Sequence, residues 1–142
     1  MSHLQTAFLR TQFACFMMFG FLNLFFMRDL IIYQSGSQAA QFLGMEYPGA
    51  EGFMLEEDLS YSFDFYMGGE VKHRSIHEIK LERHESFLFC NEMFIPLLKQ
   101  EGMNVAIIKV FPHYHISEPR PPFLNADTRS ERLNYYALIK IF

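Results

Sequence analysis

The sequence has no tryptophan and only two cysteines among its 142 residues. Cys15 and Cys90 stand far apart, so neither a disulfide framework nor the closely spaced ligand pairs of a zinc site is present. Basic charge is scarce. From Asp29 to Val71 there is no Lys or Arg, and the whole chain carries a formal net charge of −4. Without a cluster of Lys and Arg to neutralise phosphates, the composition argues against a general nucleic-acid binder. Common catalytic signatures are missing as well: no Gly-x-Ser-x-Gly elbow, no Walker A loop and no dinucleotide fingerprint, and Gly68-Gly69 reads only as a turn. Internal repeats and low-complexity tracts are absent. The length suits one compact domain and is too short for two of ordinary size.

What is present in excess is phenylalanine, at 17 residues, six of them in one uncharged run. TQFACFMMFGFLNLFFM extends from Thr11 to Met27, with Arg10 before it and Arg28-Asp29 after it. At 1.5 Å per residue it makes roughly 25 Å of helix, a little short of the ~30 Å hydrocarbon core of a bilayer. Ala7, Phe8 and Leu9 upstream and Leu30, Ile31 and Ile32 downstream can make up the difference, while Arg10 and Arg28 reach towards lipid headgroups. The Phe and Leu residues contribute about −3 to −4 kcal/mol to insertion; Gln12 near the end costs little, but Asn23 offsets much of that gain unless it meets a partner. Phe16, Gly20, Asn23 and Met27 share one helical face, and a glycine with an amide there suits packing against another transmembrane helix.

Other uses of the run fit less well. A secretory signal has a shorter apolar core, and the chain, starting at Met1, is expected to be uncleaved, which also sets aside a mitochondrial presequence. A helix at a soluble surface needs a water-facing side, and between Phe13 and Met27 only Asn23 is strongly polar. The sequence therefore predicts an N-terminal segment, 1–33, with a single transmembrane helix over about residues 8–28. Its orientation stays open, because Arg10 is opposed by an Arg28 neutralised by Asp29.

Residues 34–71 are acidic and aromatic, with glycines and Pro48 that argue for turns and an extended course. Tyr61, Phe63 and Phe65 alternate with Ser62 and Asp64, as in one short strand. The segment reads as a solvated loop with a little strand, or as an extended arm whose aromatics lie on a basic partner surface.

Residues 72–142 read as a small α+β region. Ser75-Ile76-His77-Glu78 is a capping box, and Ile76, Ile79, Phe87, Cys90, Phe94 and Leu97 keep helical spacing with Lys80, Glu82, Arg83 and Glu85 largely between them. That predicts a helix over 75–101, bent or ended by Pro96 and stopped by Gly102. A β-branched strand over 104–111, a Pro-rich extended segment over 112–123 and a C-terminal helix over 128–142 follow. The helix is opened by a second capping box at Thr128-Arg129-Ser130-Glu131, although YALIKIF also suits a strand.

Candidate chemistry is thin. His73 and His77 are four apart, and Glu70 precedes His73 as in the Glu-x-x-His element of carboxylate-bridged metal centres, but the second copy and the further glutamates such centres need are missing. His113 and His115 alternate on an extended segment and share a face. Cys90 lies among apolar neighbours, which raises a thiol's pKa and makes it inert. No catalytic, cofactor-binding or metal residue and no small-molecule substrate is assigned.

The expected fold class is α+β, predominantly helical with extended segments: one N-terminal transmembrane helix plus a small extramembrane region that depends on partners. In general type the chain resembles the small single-span accessory subunits of mitochondrial energy-converting complexes, a likeness of architecture that no motif carries. It implies a non-catalytic subunit of a respiratory-chain complex in the mitochondrial inner membrane, with the bilayer and other subunits as partners. Two alternatives are a soluble α+β protein-binding domain whose Phe-rich helix is core or oligomer interface, and a small membrane-bound enzyme or metal carrier using His73, His77, His113 or His115.

Overall fold

The computed structural model describes residues 3–68, 71–81, 85–115 and 120–142, with the backbone alone at Asp29. The chain divides into two units, Met1–Ile32 and Tyr33–Phe142. The first is helical: α1 (His3–Phe21) runs into a wide π turn (Leu22–Phe26) and on into α2 (Met27–Ile31). No proline interrupts this stretch, and its only glycine is Gly20. In the wide turn the Met27 N–H bonds to the Leu22 carbonyl, five residues back, which is the equivalent of one residue inserted into an α-helix.

The second unit is a five-stranded sheet with helices on both faces. Its elements are α3 (Ser35–Glu46), β1 (Gly52–Leu55), α4 (Tyr61–Tyr66), β2 (Lys72–Arg74), α5 (Ile76–Leu81), β3 (Ser86–Asn91), α6 (Ile95–Gln100), β4 (Val105–His113), α7 (Pro121–Leu124), α8 (Ala126–Arg129) and β5 (Asn134–Ile141). The strand order is β2-β1-β3-β5-β4. β1 runs parallel to both β2 and β3, whereas β5 is antiparallel to β3 and to β4. Thus β1-α4-β2-α5-β3 forms a parallel half and the remaining strands an antiparallel half.

Alternate residues of the central strands feed two cores. Phe53, Leu55, Leu88, Cys90, Ala137, Ile139 and Ile141 pack with Ile79 of α5 and with Ile95 and Leu98 of α6. On the opposite face Met54, Phe87, Phe89, Leu138 and Phe111 pack with Ala39, Ala40 and Leu43 of α3 and Phe63 of α4. Phe89 is fully buried, stacked at 4.7 Å from Phe63 and 5.3 Å from Tyr136.

The mixed helix-and-strand class holds, with helix at 55% and strand at 23% of the described residues, and so does one N-terminal helix long and apolar enough to cross a membrane. Several elements differ from the sequence expectation. The segment 34–71 is no extended arm: it supplies a 12-residue helix, the strand β1 and the helix α4, and its Phe53 and Phe63 are core. The alternation Tyr61-Phe63-Phe65 is not a strand. Ser60 caps a helix, accepting from the Phe63 N–H, and Phe63 turns fully inward while Tyr61 (84%) and Phe65 (76%) stay exposed.

The helix expected over 75–101 is broken into α5, β3 and α6. Phe87 to Cys90 are buried on both faces of the sheet, and such a strand lacks the two-residue alternation that would separate it from a helix. Glu82 and Arg83 lie outside the described residues. Pro96 sits in the first turn of α6, where its missing N–H costs nothing. Gly102, at φ +81°, closes α6 with a paired bond set, Gly102 N–H to Lys99 O and Met103 N–H to Leu98 O, and turns the chain into β4. Of the C-terminal helix expected over 128–142, only residues 128–132 are helical, in the end of α8 and a single 3-10 turn (Ser130–Arg132); the chain then forms β5, inserted between β3 and β4. Thr128 opens no capping box: its hydroxyl donates to Pro122 O, and Asn125 caps α8.

Two glycines of α3 test this packing. A Cβ on Gly36 would lie 2.3 Å from Ser60 Oγ and 2.8 Å from the Phe63 backbone nitrogen, whereas one on Gly44 meets nothing within 4 Å. Gly36→Ala is expected to lose about 1–3 kcal/mol of stability, and Gly44→Ala to gain about 0.5–1 kcal/mol. Denaturant unfolding of the two variants checks this; equal effects would show that α3 and α4 do not approach as described.

Candidate functional site

The stretch from His3 to Phe26 is 24 residues of apolar helix, about 36 Å at 1.5 Å per residue, and none of it is buried. Phe16 is 75% exposed, and Phe8, Phe13, Phe19, Phe21 and Phe25 each project a large apolar ring in the same way. Arg10 and Arg28 bracket the uncharged run about 27 Å apart along the helix, a separation that puts both guanidinium groups near the two faces of a ~30 Å hydrocarbon layer.

Two polar side chains inside that run are answered within the helix. The Asn23 side-chain amide donates to the Phe19 carbonyl at 2.8 Å, and the Thr11 hydroxyl donates to the Ala7 carbonyl at 3.1 Å. Such i−4 bonds lower the cost of a polar side chain in a medium without water. Asn23 therefore needs no second helix to satisfy its donor to Phe19. The structure also splits the face of four. Phe16 and Gly20 precede the wide turn, Asn23 lies in it and Met27 follows it, so Met27 is rotated off the Phe16–Gly20 line by about 100°. Gly20 has open space where a Cβ would stand.

In the second unit, polar side chains cluster where the parallel strands end. Asp58, 9% exposed, follows β1; its carboxylate accepts from the Asn91 backbone N–H at the end of β3 and, at 2.9 Å, from the Tyr136 hydroxyl of β5. Burial and then this bond to Asp58 push the Tyr136 hydroxyl pKa up to about 12. Ser35 Oγ and His113 Nδ1 share a hydrogen across 2.9 Å, and the His113 ring lies 4.7 Å from that of Tyr136. Sequence reasoning passed over Asp58, Asn91, Tyr136 and Ser35. Only their convergence across the sheet singles them out, and no spacing along the chain encodes it.

The histidine pairs part company. His73 lies on β2 and His77 on α5, so they do not share a helix face, and Glu70 lies outside the described residues. His113 is engaged by Ser35, while His115 lies beyond β4. Among the described residues no three His, Cys, Asp or Glu side chains are placed to hold a metal ion. Cys90 is fully buried in β3, and burial pushes its thiol pKa up to about 12. Cys15 is exposed on α1. Set against known proteins, the chain matches no protein family, no curated protein and no solved structure.

The His113 environment has a consequence in acid. Desolvation first, and the neighbouring His115 second, lower the His113 pKa below its ordinary 6.5. The unfolded chain then binds the proton more readily than the folded one, so stability falls as pH drops through 6.5 towards the lower folded value and is unaffected above it. Thermal unfolding between pH 7.5 and 5 is expected to show this loss. In the Ser35→Ala/His113→Leu double variant the drop should shrink; an unchanged slope would place its origin elsewhere.

Proposed function

We propose that this chain is a single-span membrane protein: a non-catalytic subunit anchored by its Phe-rich helix, presenting a folded α+β domain at the membrane surface. The observation that carries the proposal is the pairing of a 24-residue apolar helix without one buried side chain with a domain whose two cores are built wholly from residues between Ala39 and Ile141. Large apolar side chains exposed in such number need a lipid or protein environment. Arg10 and Arg28 at the ends, and Asn23 and Thr11 bonded inside the helix, favour lipid. The partners are then the bilayer and neighbouring subunits, which the Phe16–Gly20 side of the helix would meet.

Residues 34–71 contribute to the domain core, so dependence on partners belongs in this proposal to the helix and not to a wrapping arm. The mitochondrial inner membrane and a respiratory-chain complex are the setting we favour, on general type alone. The alternative, a soluble protein-binding domain, must use the helix as an interface between chains, because the core clusters of residues 33–142 contain none of its side chains.

Alkaline carbonate extraction of native membranes, followed by native gel electrophoresis of a mild detergent extract, separates the two. The proposal expects the chain in the membrane pellet and, after solubilisation, within a large complex. Release by carbonate as a small oligomer would replace it with the soluble reading.

A further inference from the structure

The chain leaves β1 outwards to β2 and then returns past β1 to β3, giving the parallel order β2-β1-β3. In open sheets of this order the reversal lies between β1 and β3, and ligands sit in the crevice beyond the carboxyl ends of those two strands. Here the β1–β3 side of the crevice is closed by Asp58 and its bonds to Asn91 and Tyr136. The β1–β2 side is open, as a cleft of about 300 Å³ whose lining includes Met54, Leu59, Tyr61 and His73.

Local bonds hold its walls. The Ser60 N–H donates to Met54 Sδ at 3.3 Å, folding the loop after β1 back over the strand, and the Glu56 N–H donates to Arg74 O at 3.2 Å, tying that loop to β2. The Val71 N–H donates to Asp64 Oδ1 at 3.3 Å, fixing α4 to the entry of β2. The floor is the fully buried Met54, and Leu59 and Tyr61 stand exposed at the rim.

The charge of the cleft is one-sided. Glu56 and Asp64 line it, and the Glu56 carboxylate has no hydrogen-bonding partner among the described residues. The two cationic side chains next to His73 in sequence are directed away. Lys72 and Arg74 flank His73 on β2 and, by strand alternation, lie over the Phe53 ring on the opposite face, the Arg74 guanidinium 4.3 Å from it. Lys72 is further held by Glu51 at 3.0 Å. The cleft therefore offers two carboxylates, a tyrosine, a leucine and the His73 imidazole, with no Lys or Arg among its lining residues.

From this geometry we propose that the cleft binds a small organic cation. The ammonium group of the ligand lies against Glu56 and Asp64, and its flat apolar body lies on Leu59 and Tyr61. Charge-assisted hydrogen bonds to the carboxylates and attraction to the tyrosine face both require the positive charge. The volume, at the lower edge of ligand sites, limits the guest to a small molecule. This inference does not rest on the membrane proposal.

The test is titration of the full-length chain in nanodiscs of zwitterionic lipid, with empty discs as blank. The ligands are benzylammonium, its neutral counterpart benzyl alcohol and its anionic counterpart benzoate; the readouts are calorimetry and the His73 and Tyr61 side-chain resonances. Benzylammonium is expected to bind at least about tenfold more tightly than benzyl alcohol, to shift both resonances, and to lose most of that advantage in Glu56→Gln; benzoate should not bind. Glu51→Gln, outside the cleft, should leave affinity unchanged. Equal binding of the cation and the alcohol, no binding of the cation, or unchanged affinity in Glu56→Gln each overturns the proposal.

Discussion

A strand such as Ser86–Asn91, paired with β1 on one edge and β5 on the other and buried on both faces, leaves no direction open to water. Its backbone groups must be satisfied by neighbouring strands, and its Phe87, Leu88, Phe89 and Cys90 side chains must be met by apolar groups above and below. That requirement places α5 and α6 on one side and α3 and α4 on the other. It also explains the buried Asp58, which receives the Asn91 N–H where the strand ends and the Tyr136 hydroxyl from the strand beside it. An aspartate with both oxygens so engaged is tolerable in a protein interior, where an unpaired one is not.

The same constraint bears on the N-terminal helix. Among the described residues, both core clusters are built from residues between 39 and 141. A helix carrying this many exposed phenylalanines has no polar side to turn to water, and its Asn23 amide and Thr11 hydroxyl are bonded to its own carbonyls. Those features suit the lipid environment that we propose for this helix. Anchor and domain are thus two solutions to one problem, burial of phenylalanine: the domain solves it with its own sheet and helices, and the helix, on our proposal, with lipid.

Sequence reasoning reached the parts where a local signal is complete. The Ser75–Glu78 box is formed, with the Ser75 N–H donating to Glu78 Oε2 at 2.9 Å and the Glu78 N–H to Ser75 Oγ at 3.3 Å. The Ser75 N–H and the Ser75 hydroxyl, which donates to the same Glu78 oxygen at 3.0 Å, together hold the Glu78 carboxyl below its usual pKa. The stop at Gly102 and the apolar character of residues 11–27 were legible for the same reason. The expectations that failed are ones whose meaning is long-range. Phe87 and Cys90 sit three apart, as on a helix, but the strand around them is shaped by partners at residues 52–54 and 136–141. The acids and aromatics of 34–71 look like a loop until β1 is seen to lie between β2 and β3. The cleft was invisible because Glu56, Asp64 and His73 come together only through that parallel pairing, and the wide turn at Leu22–Phe26 leaves no trace in residue type.

The central claim is that α1 lies in a bilayer, and the two cysteines supply the most direct measurement. Cys15 projects from the helix, and Cys90 is shut inside the domain with a thiol of little nucleophilic form. Permeabilised native-like membranes, with both surfaces accessible, would be treated with a membrane-impermeant maleimide at neutral pH, using an added cysteine at the exposed Glu101 position as the reactive reference. The account predicts rapid labelling of the reference and protection of Cys15 until detergent dissolves the bilayer, with Cys90 silent until the domain is denatured. Labelling of Cys15 in the intact membrane at the rate of the reference would contradict it.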